Sequence, residues 1–207
     1  MIAVCIFGPD GSGKTTIART LARRLSDEGF KVKVSWMRGT HTLASIVARL
    51  LSMFPAFRGP DNPYYAITIP RKLRGLWQLL EFASLLPILL AKFLAPSFLG
   101  YQVISERYLP DFLVWVTIIT NDCDYLESFP ARFLLALTLK VKVRVCITAG
   151  ISELLRRRRS EDPSFLSKQL MLYERMVKSA DAINLDTTNR SVEESSNIIF
   201  DLVRNVL

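Results

Sequence analysis

The sequence predicts an α/β fold in which a five-stranded parallel sheet lies between layers of helices, and three observations carry that prediction. Short apolar, β-branched runs alternate with amphipathic helical stretches along all 207 residues, the pattern of parallel strands joined by crossover helices. Half of the residues are hydrophobic, enough to cover both faces of such a sheet. The first apolar run also leads directly into a glycine-rich turn and then a helix. No repeat, low-complexity tract or linker divides the chain, so one domain over residues 1–207 is expected.

Taken in order, Ile2 to Phe7 is an unbroken apolar run and reads as a buried strand. From Lys14, the residues Ile17, Ala18, Leu21, Ala22 and Leu25 recur on one helical face until Glu28-Gly29 ends the pattern. Val32 to Trp36 is a second strand, 37–42 a loop, and about Leu43 to Met53 a helix with Ile46, Val47, Leu50 and Leu51 on one side. Pro55, Pro60, Pro63 and Pro70 make 54–70 irregular, and Phe54, Phe57, Tyr64 and Tyr65 give it more aromatic surface than a connector needs. Arg71 to Phe98 is the most apolar helix, which Pro87 should kink or divide. Its length admits a membrane span as an alternative. Glu81, Pro87 and Lys92 interrupt it, so burial partly in the core and partly against a second subunit is expected instead. Tyr101 to Ser105 forms a third strand ending at Glu106-Arg107-Tyr108, followed by helices over about Phe112 to Ile119 and from Pro130 to about Leu139. Val141 to Thr148 is a fourth strand, and a helix capped by Ser152 ends in Arg156 to Arg159. After a polar break at 160–164, a helix over Phe165 to Ser179, a strand over Ala182 to Asp186 and an amphipathic helix over Val192 to Val206 complete the chain.

The chemistry concentrates in residues 8–15, Gly-Pro-Asp-Gly-Ser-Gly-Lys-Thr, which fit the pattern G-x-x-x-x-G-K-[ST] between a strand and a helix. Gly8, Gly11 and Gly13 let successive backbone N–H groups turn inward onto a polyphosphate, and the helix N-terminus adds positive partial charge. Lys14 would reach the β- and γ-phosphates and Thr15 would ligate the bridging magnesium, with Asp10, Ser12 and Thr16 in the same loop. A tight turn between core elements is the plain alternative, and the flanking strand and helix argue against it. In a doubly wound sheet, ligands gather at the carboxyl ends of the strands. That rule brings Arg38 to His41, Glu106 to Tyr108 and the loop after Thr148 beside the phosphate loop. Glu106 is expected to hold the metal's water shell. Arg107 is expected to grip a second phosphate, an ion pair with Glu106 or Asp111 being the alternative. Four consecutive arginines on a helix point four ways, so only one or two of Arg156 to Arg159 can face a common ligand when the segment closes as a flap. His41, the single histidine, suits hydrogen bonding or capping.

A net charge of +8 suits anionic ligands, whether nucleotides, nucleic acid or acidic lipid, or is simply a basic surface. Cys5, Cys123 and Cys146 stand far apart without partner histidines, which fits a reduced, cytoplasmic protein without zinc. No basic region precedes the first apolar run, as a signal peptide would require. The absence of N-K-x-D argues against a guanine-reading switch.

With these residues in place, the sequence resembles the thymidylate kinase family of nucleoside monophosphate kinases, especially its divergent archaeal-type members, over essentially its whole length. The resemblance rests on the loop with aspartate as its third residue, on Glu106-Arg107-Tyr108 where the family has Asp-Arg-Tyr/His, and on the arginine run followed by Gln169 to Tyr173-Glu174. It implies the three-layer P-loop NTPase fold with a short arginine-rich lid at about 156–166 and an acceptor-side segment at about 38–100. It implies ATP and Mg2+, with Lys14, Arg107, Arg156 and Arg159 as catalytic residues and Thr15 and Glu106 at the metal. Asp10 would contact the acceptor's sugar hydroxyl, Arg107 and Arg38 its phosphate, and Tyr108 would help exclude a ribose 2′-hydroxyl. His41, Tyr64 and Arg71 would complete the acceptor side, while Thr187 and Arg190 would lie near the donor adenine. The implied reaction converts dTMP and ATP to dTDP and ADP, in a homodimer formed through apolar helices within residues 73–94, with neither nucleic acid nor a membrane span as partner. Where the family carries a serine and a Tyr-Gln pair, this chain has Asp111, Trp115 and Val116. An amide that could read a pyrimidine edge is therefore missing, although Tyr64, Tyr65, Arg71 and Arg74 could take over the base. The same chemistry on dUMP, another nucleotide or a small phosphorylated metabolite is the alternative. A non-catalytic basic module on nucleic acid or membrane is the reading from a different class.

Overall fold

The computed structural model describes residues 2–157 and 163–206. Strand β1 (Ile2–Phe7) is buried at every position, as its apolar run demands, and feeds through the phosphate loop into α1 (Lys14–Asp27). Next come β2 (Val32–Trp36), α2 (Thr42–Ser52) and the short strand β3 (Arg58–Asn62). Helix α3 (Arg74–Ile88) runs on through a π-helical stretch, Leu89–Leu94, into α4 (Ala95–Phe98). Then follow β4 (Gln102–Arg107), α5 (Leu109–Thr120), α6 (Phe129–Leu139), β5 (Val143–Thr148) and α7 (Ile151–Arg157). The last elements are α8 (Pro163–Ser179), β6 (Ile183–Asp186) and α9 (Val192–Arg204).

Five strands form the expected parallel sheet, in the order β2-β4-β1-β5-β6. Cys5 pairs with Ser105 and Phe7 with Cys146, so the carboxyl ends of β1, β4 and β5 come level at one edge. Alternate residues of β1 serve opposite faces. Val4 and Ile6 pack with Ile17, Leu21 and Leu25 of α1 and with Ile199, Phe200 and Val203 of α9. Cys5 and Phe7 join the larger core with Trp77 and Leu85 of α3, Phe112 and Trp115 of α5, and Tyr173 and Met176 of α8. Each large apolar side chain buried there contributes about 1.5–3 kcal/mol, and together they hold the strand ends that carry the polar residues.

Several boundaries differ from the sequence expectation for local reasons. Helix α5 begins at Leu109, three residues before Phe112, because the Asp111 carboxylate accepts from the Tyr108 N–H at 3.1 Å and caps it. The Ser128 hydroxyl caps α6, which starts at Phe129 rather than Pro130, and Ser152 lies inside α7 rather than ahead of it. The segment expected to be irregular contains β3. Gly59 N donates to Ala66 O at 3.0 Å and Thr68 N to Phe57 O at 2.8 Å, pairing two stretches across a proline-containing turn. Pro87 does not divide its helix but lies inside α3, and the irregularity follows it as the π-helical stretch. Ser35 Oγ donates to Lys92 O at 2.6 Å, occupying a carbonyl of that stretch.

By length and composition the 28 residues Arg71–Phe98 would suffice to cross a membrane. One side of the segment, with Trp77, Glu81, Ser84, Leu85, Leu89 and Phe93, is buried in the core. Its other side exposes Leu76, Leu79, Leu86 and Leu90, and α2 exposes Leu43, Ile46 and Leu50, with Met53 just after it.

Candidate active site

The phosphate loop is built tight against the sheet. At Gly8 (φ +138°) a Cβ would fall 2.1 Å from the Ile147 carbonyl oxygen of β5, so no side chain fits there. Lys14 is buried, and its ammonium donates to the Pro9 carbonyl and, at 3.2 Å, to Ser12 Oγ. Burial, with Arg38 nearby, pulls Lys14 down to about 8. The ammonium is thus folded onto its own loop, on weak neutral acceptors that a phosphate oxygen would displace. Thr15 Oγ1 donates to Glu106 at the end of β4. This places two oxygen donors side by side beside the loop, the kind of ligand magnesium takes together with phosphate and water. Lys14, Thr15, Thr16 and Glu106 line a cavity of about 450 Å³.

Asp10, Arg38 and Arg107 line the same cavity. The Asp10 carboxylate pairs with Arg107 and, at 3.2 Å, with Arg38. Arg107 also donates to Asp111 Oδ1 at 3.0 Å. Asp111 is fully buried and further accepts from Tyr173 OH at 2.9 Å and from Gly8 N at 3.4 Å. One carboxylate thereby ties the phosphate loop, Arg107 and α8 together. Arg38 lies over the Trp115 ring at 4.5 Å and donates to Tyr64 OH at 2.6 Å. Beneath it Gly39 passes so close to Trp115 that a Cβ would sit 1.8 Å from the indole Cδ1. Arg38 N donates to His41 Nε2 at 3.1 Å, and burial, then Lys92 and Arg38, lower the His41 pKa. The neutral ring therefore carries its proton on Nδ1. From Trp36, Arg38 and Tyr64 a second cavity of about 640 Å³ extends past His41 to Arg49 and Tyr65.

On the other side of the loop, Arg157 donates to Gly11 O and Thr187 O, both at 3.2 Å, and to Glu153 at 2.7 Å. Thr187 Oγ1 bonds Ser12 O at 3.1 Å. Thr187 and Arg190 line a cavity of about 320 Å³ with Gly11, Ile17 and Ser195, where a nucleoside end would lie if its phosphates filled the loop.

Asp10, Lys14, Thr15, Thr16, Arg38, Tyr64, Glu106 and Arg107 are therefore brought together, with His41 in the adjoining cavity and Thr187 and Arg190 across the loop. Three expectations are corrected. The Tyr108 ring is buried at 5.1 Å from Phe93 and lines a different cavity with Ile2, Leu89 and Val141, so it does not face the phosphates. Arg71 is exposed at the head of the α3 segment and lines none of the cavities at the loop. Arg156 is exposed and turned to Glu153, whereas Arg157 reaches the loop; one step along a helix is a 100° rotation. Arg159, with the rest of residues 158–162 of the expected lid, lies outside the described residues. The sequence left open which of Arg156 to Arg159 reaches the loop and gave no site role to Trp36 or Trp115. The Glu153–Arg157 spacing of four, which aligns a pair on one helix face, was the available signal for Arg157. Trp36, as the last residue of β2, stood at a carboxyl strand end.

Residues 4–90 match the family model for "ATPase family associated with various cellular activities (AAA)". The match runs from within β1 through the phosphate loop and all of α3 to the first two residues of the π-helical stretch, and ends before Glu106 and Arg107. No curated protein matches the chain.

Proposed function

We propose that this chain, a P-loop NTPase with a five-stranded parallel sheet flanked by helices, is a nucleoside monophosphate kinase that transfers the γ-phosphoryl of ATP to dTMP. The observation that carries this reading is the meeting of Arg38 and Arg107 on Asp10 in the cavity that also holds Lys14, Thr15 and Glu106. Hydrolysis needs only a triphosphate cradle. Two converging guanidinium groups beside that cradle provide for a second phosphate, held now by a carboxylate in its place.

In this mechanism the loop N–H groups and Lys14 hold the triphosphate, and the acceptor phosphate displaces Asp10 from the arginines, so that its carboxylate turns to a sugar hydroxyl. An anionic oxygen of the acceptor attacks the γ-phosphorus in line. A new P–O bond forms, the bond from the γ-phosphorus to the β,γ-bridging oxygen breaks, and ADP leaves with that oxygen. No side chain need take a proton, because the attacking oxygen already carries charge; positioning and charge neutralisation do the rest. Magnesium held by Thr15 and, through water, by Glu106 would neutralise the β- and γ-oxygens. Arg157, released from Gly11 O, is placed to meet the transferring group. Arg157→Ala is expected to lower kcat by about 10²–10³, against less than about threefold for Arg156→Ala, whose side chain is solvated; steady-state kinetics on both variants compares them.

A second acceptor stays in view for a specific reason: neither acceptor-side cavity is lined by a side-chain amide to read a pyrimidine edge. The deciding experiment measures ADP formation from Mg-ATP with a panel of monophosphates. Turnover of dTMP is expected. Turnover of another phosphorylated acceptor without dTMP moves the assignment to that acceptor, and no ADP with any of them overturns the kinase reading. We further propose a homodimer through α2 and α3. The exposed Leu76, Leu79, Leu86 and Leu90 recur at the three- and four-residue spacing of a helix seam, beside Ile46 and Leu50. Sedimentation equilibrium checks it.

A further inference from the structure

We propose that Glu81, on α3 and outside the nucleotide cavities, is a positioning residue for the acceptor: it fastens the loop 38–41 and, through it, the Arg38 guanidinium. The inference rests on the reading of Arg38 as a contact to the acceptor phosphate. Glu81 is 1% exposed, and among the described residues no cation pairs with it. Both its oxygens bond Thr40: Thr40 N donates to Oε2 and Thr40 Oγ1 to Oε1, each at 2.5 Å, and the Trp77 indole lies close enough to help hold the carboxyl's pKa down. Thr40 Oγ1 itself accepts from Trp115 Nε1 at 2.9 Å, so its own proton is directed at Glu81. The relay from indole to hydroxyl to carboxylate runs one way, and only an ionised carboxylate can accept at both ends.

Thr40 adopts φ +55°, a left-handed conformation that β-branched residues avoid. It is held there by α3 on one side and α5 on the other. Two residues earlier, Arg38 lies on the same Trp115 ring and reaches Asp10. Slackening Thr40 therefore moves the guanidinium, which meets the phosphate loop at Asp10, and leaves the loop's bonds at Lys14 and Thr15 in place. Burial pushes the Glu81 carboxyl up to about 7 against the opposing Thr40 hydrogen bonds. The facing titratable group is Tyr125, itself raised by burial and then by Glu81. A buried, unpaired carboxylate is a costly fastener. An amide cannot replace it, because one of its two ends donates.

The test is Glu81→Gln, with Thr40→Val as the second variant because it keeps the shape of Thr40 and deletes only the hydroxyl arm. For both, Mg-ATP affinity by calorimetry is expected to stay within twofold of the parent, while KM for dTMP rises about 10- to 100-fold, the range for losing a hydrogen bond to a charged group. Amide hydrogen exchange is expected to quicken at 38–42 and not at 8–16. The double variant is expected to be no worse than the poorer single one. A dTMP KM within twofold of the parent, a parallel loss of ATP affinity, or additive effects in the double variant would each overturn the proposal. If the parent turns over no dTMP, the kinase reading fails on that acceptor, and exchange alone decides the positioning role: unchanged protection at 38–42 overturns it, selective loss upholds it.

Discussion

Lys14→Ala is expected to abolish turnover, by roughly three orders of magnitude or more in kcat, while the protein stays folded. The loss is electrostatic, since Lys14 is, among the described residues, the one lysine lining the loop cavity. The fold survives because the buried ammonium works against it. Its folded pKa of about 8 lies below the ordinary 10.5, so the unfolded chain binds more protons between those values and stability rises with pH across that window. Below it, burying the charge costs on the order of 3 kcal/mol, which offsets the small cavity that alanine leaves. Thermal melts should therefore show the variant at or above the parent. Proton linkage supplies a companion measurement. Above about pH 8 the ligand-free lysine is neutral, so ATP binding should weaken and take up a proton, visible by calorimetry in buffers of different ionisation enthalpy. Unchanged kcat in Lys14→Ala would remove the assigned role.

Arg107→Ala is expected to act on the acceptor and on the fold together. Its guanidinium joins two buried carboxylates, Asp10 and Asp111; removing it leaves Asp10 with Arg38 but takes the paired cation from Asp111, at a cost of about 3–5 kcal/mol. Denaturant titration should show that loss. In the surviving folded enzyme the acceptor KM should rise at least tenfold while the ATP KM holds. Arg107→Lys, which keeps the charge but cannot reach two carboxylates at once, should recover part of the stability and little of the acceptor binding. An altered KM for ATP alone would contradict the assignment.

Glu81 leads to a pH effect of opposite sign on stability and binding. Its folded pKa is raised, so its contribution to stability is fully present below about 4.5 and is lost as pH rises through about 7. The size is on the order of 3 kcal/mol. Acceptor binding should improve over the same window as the carboxylate ionises and completes its bonds to Thr40. Melts and dTMP KM values from pH 5 to 8.5 should show the two trends crossing, and Glu81→Gln should flatten both.

Much of the fold was legible because its signals are local. The apolar run at Ile2 to Phe7, the helical period from Ile17 to Leu25 and the strand at Val32 to Trp36 each state their structure within a few residues. The strand β3 was not legible, since it exists only by pairing with residues beyond a turn. The π-helical stretch after Pro87 depends on how neighbouring carbonyls are taken up, as Lys92 O is by Ser35. At the site, Lys14, Thr15, Glu106 and Arg107 followed from motif and strand-end position. Tyr108, adjacent to Arg107, follows the same rule yet points to the opposite side, because neighbouring residues leaving a strand alternate faces.

What the sequence determined by itself is the phosphate cradle and the layered sheet that presents it. Eight consecutive residues set the loop's backbone, and hydrophobic period sets strands and helices, so neither needs knowledge of distant partners. Only the tertiary structure decided that Arg157 rather than Arg156 reaches the loop, that Trp115 lies against Arg38 and Gly39 and that Glu81 holds Thr40. Those outcomes depend on how far a helix is rotated and on which segments, 41 to 146 residues apart, are pressed together in the core, and a linear pattern carries neither quantity.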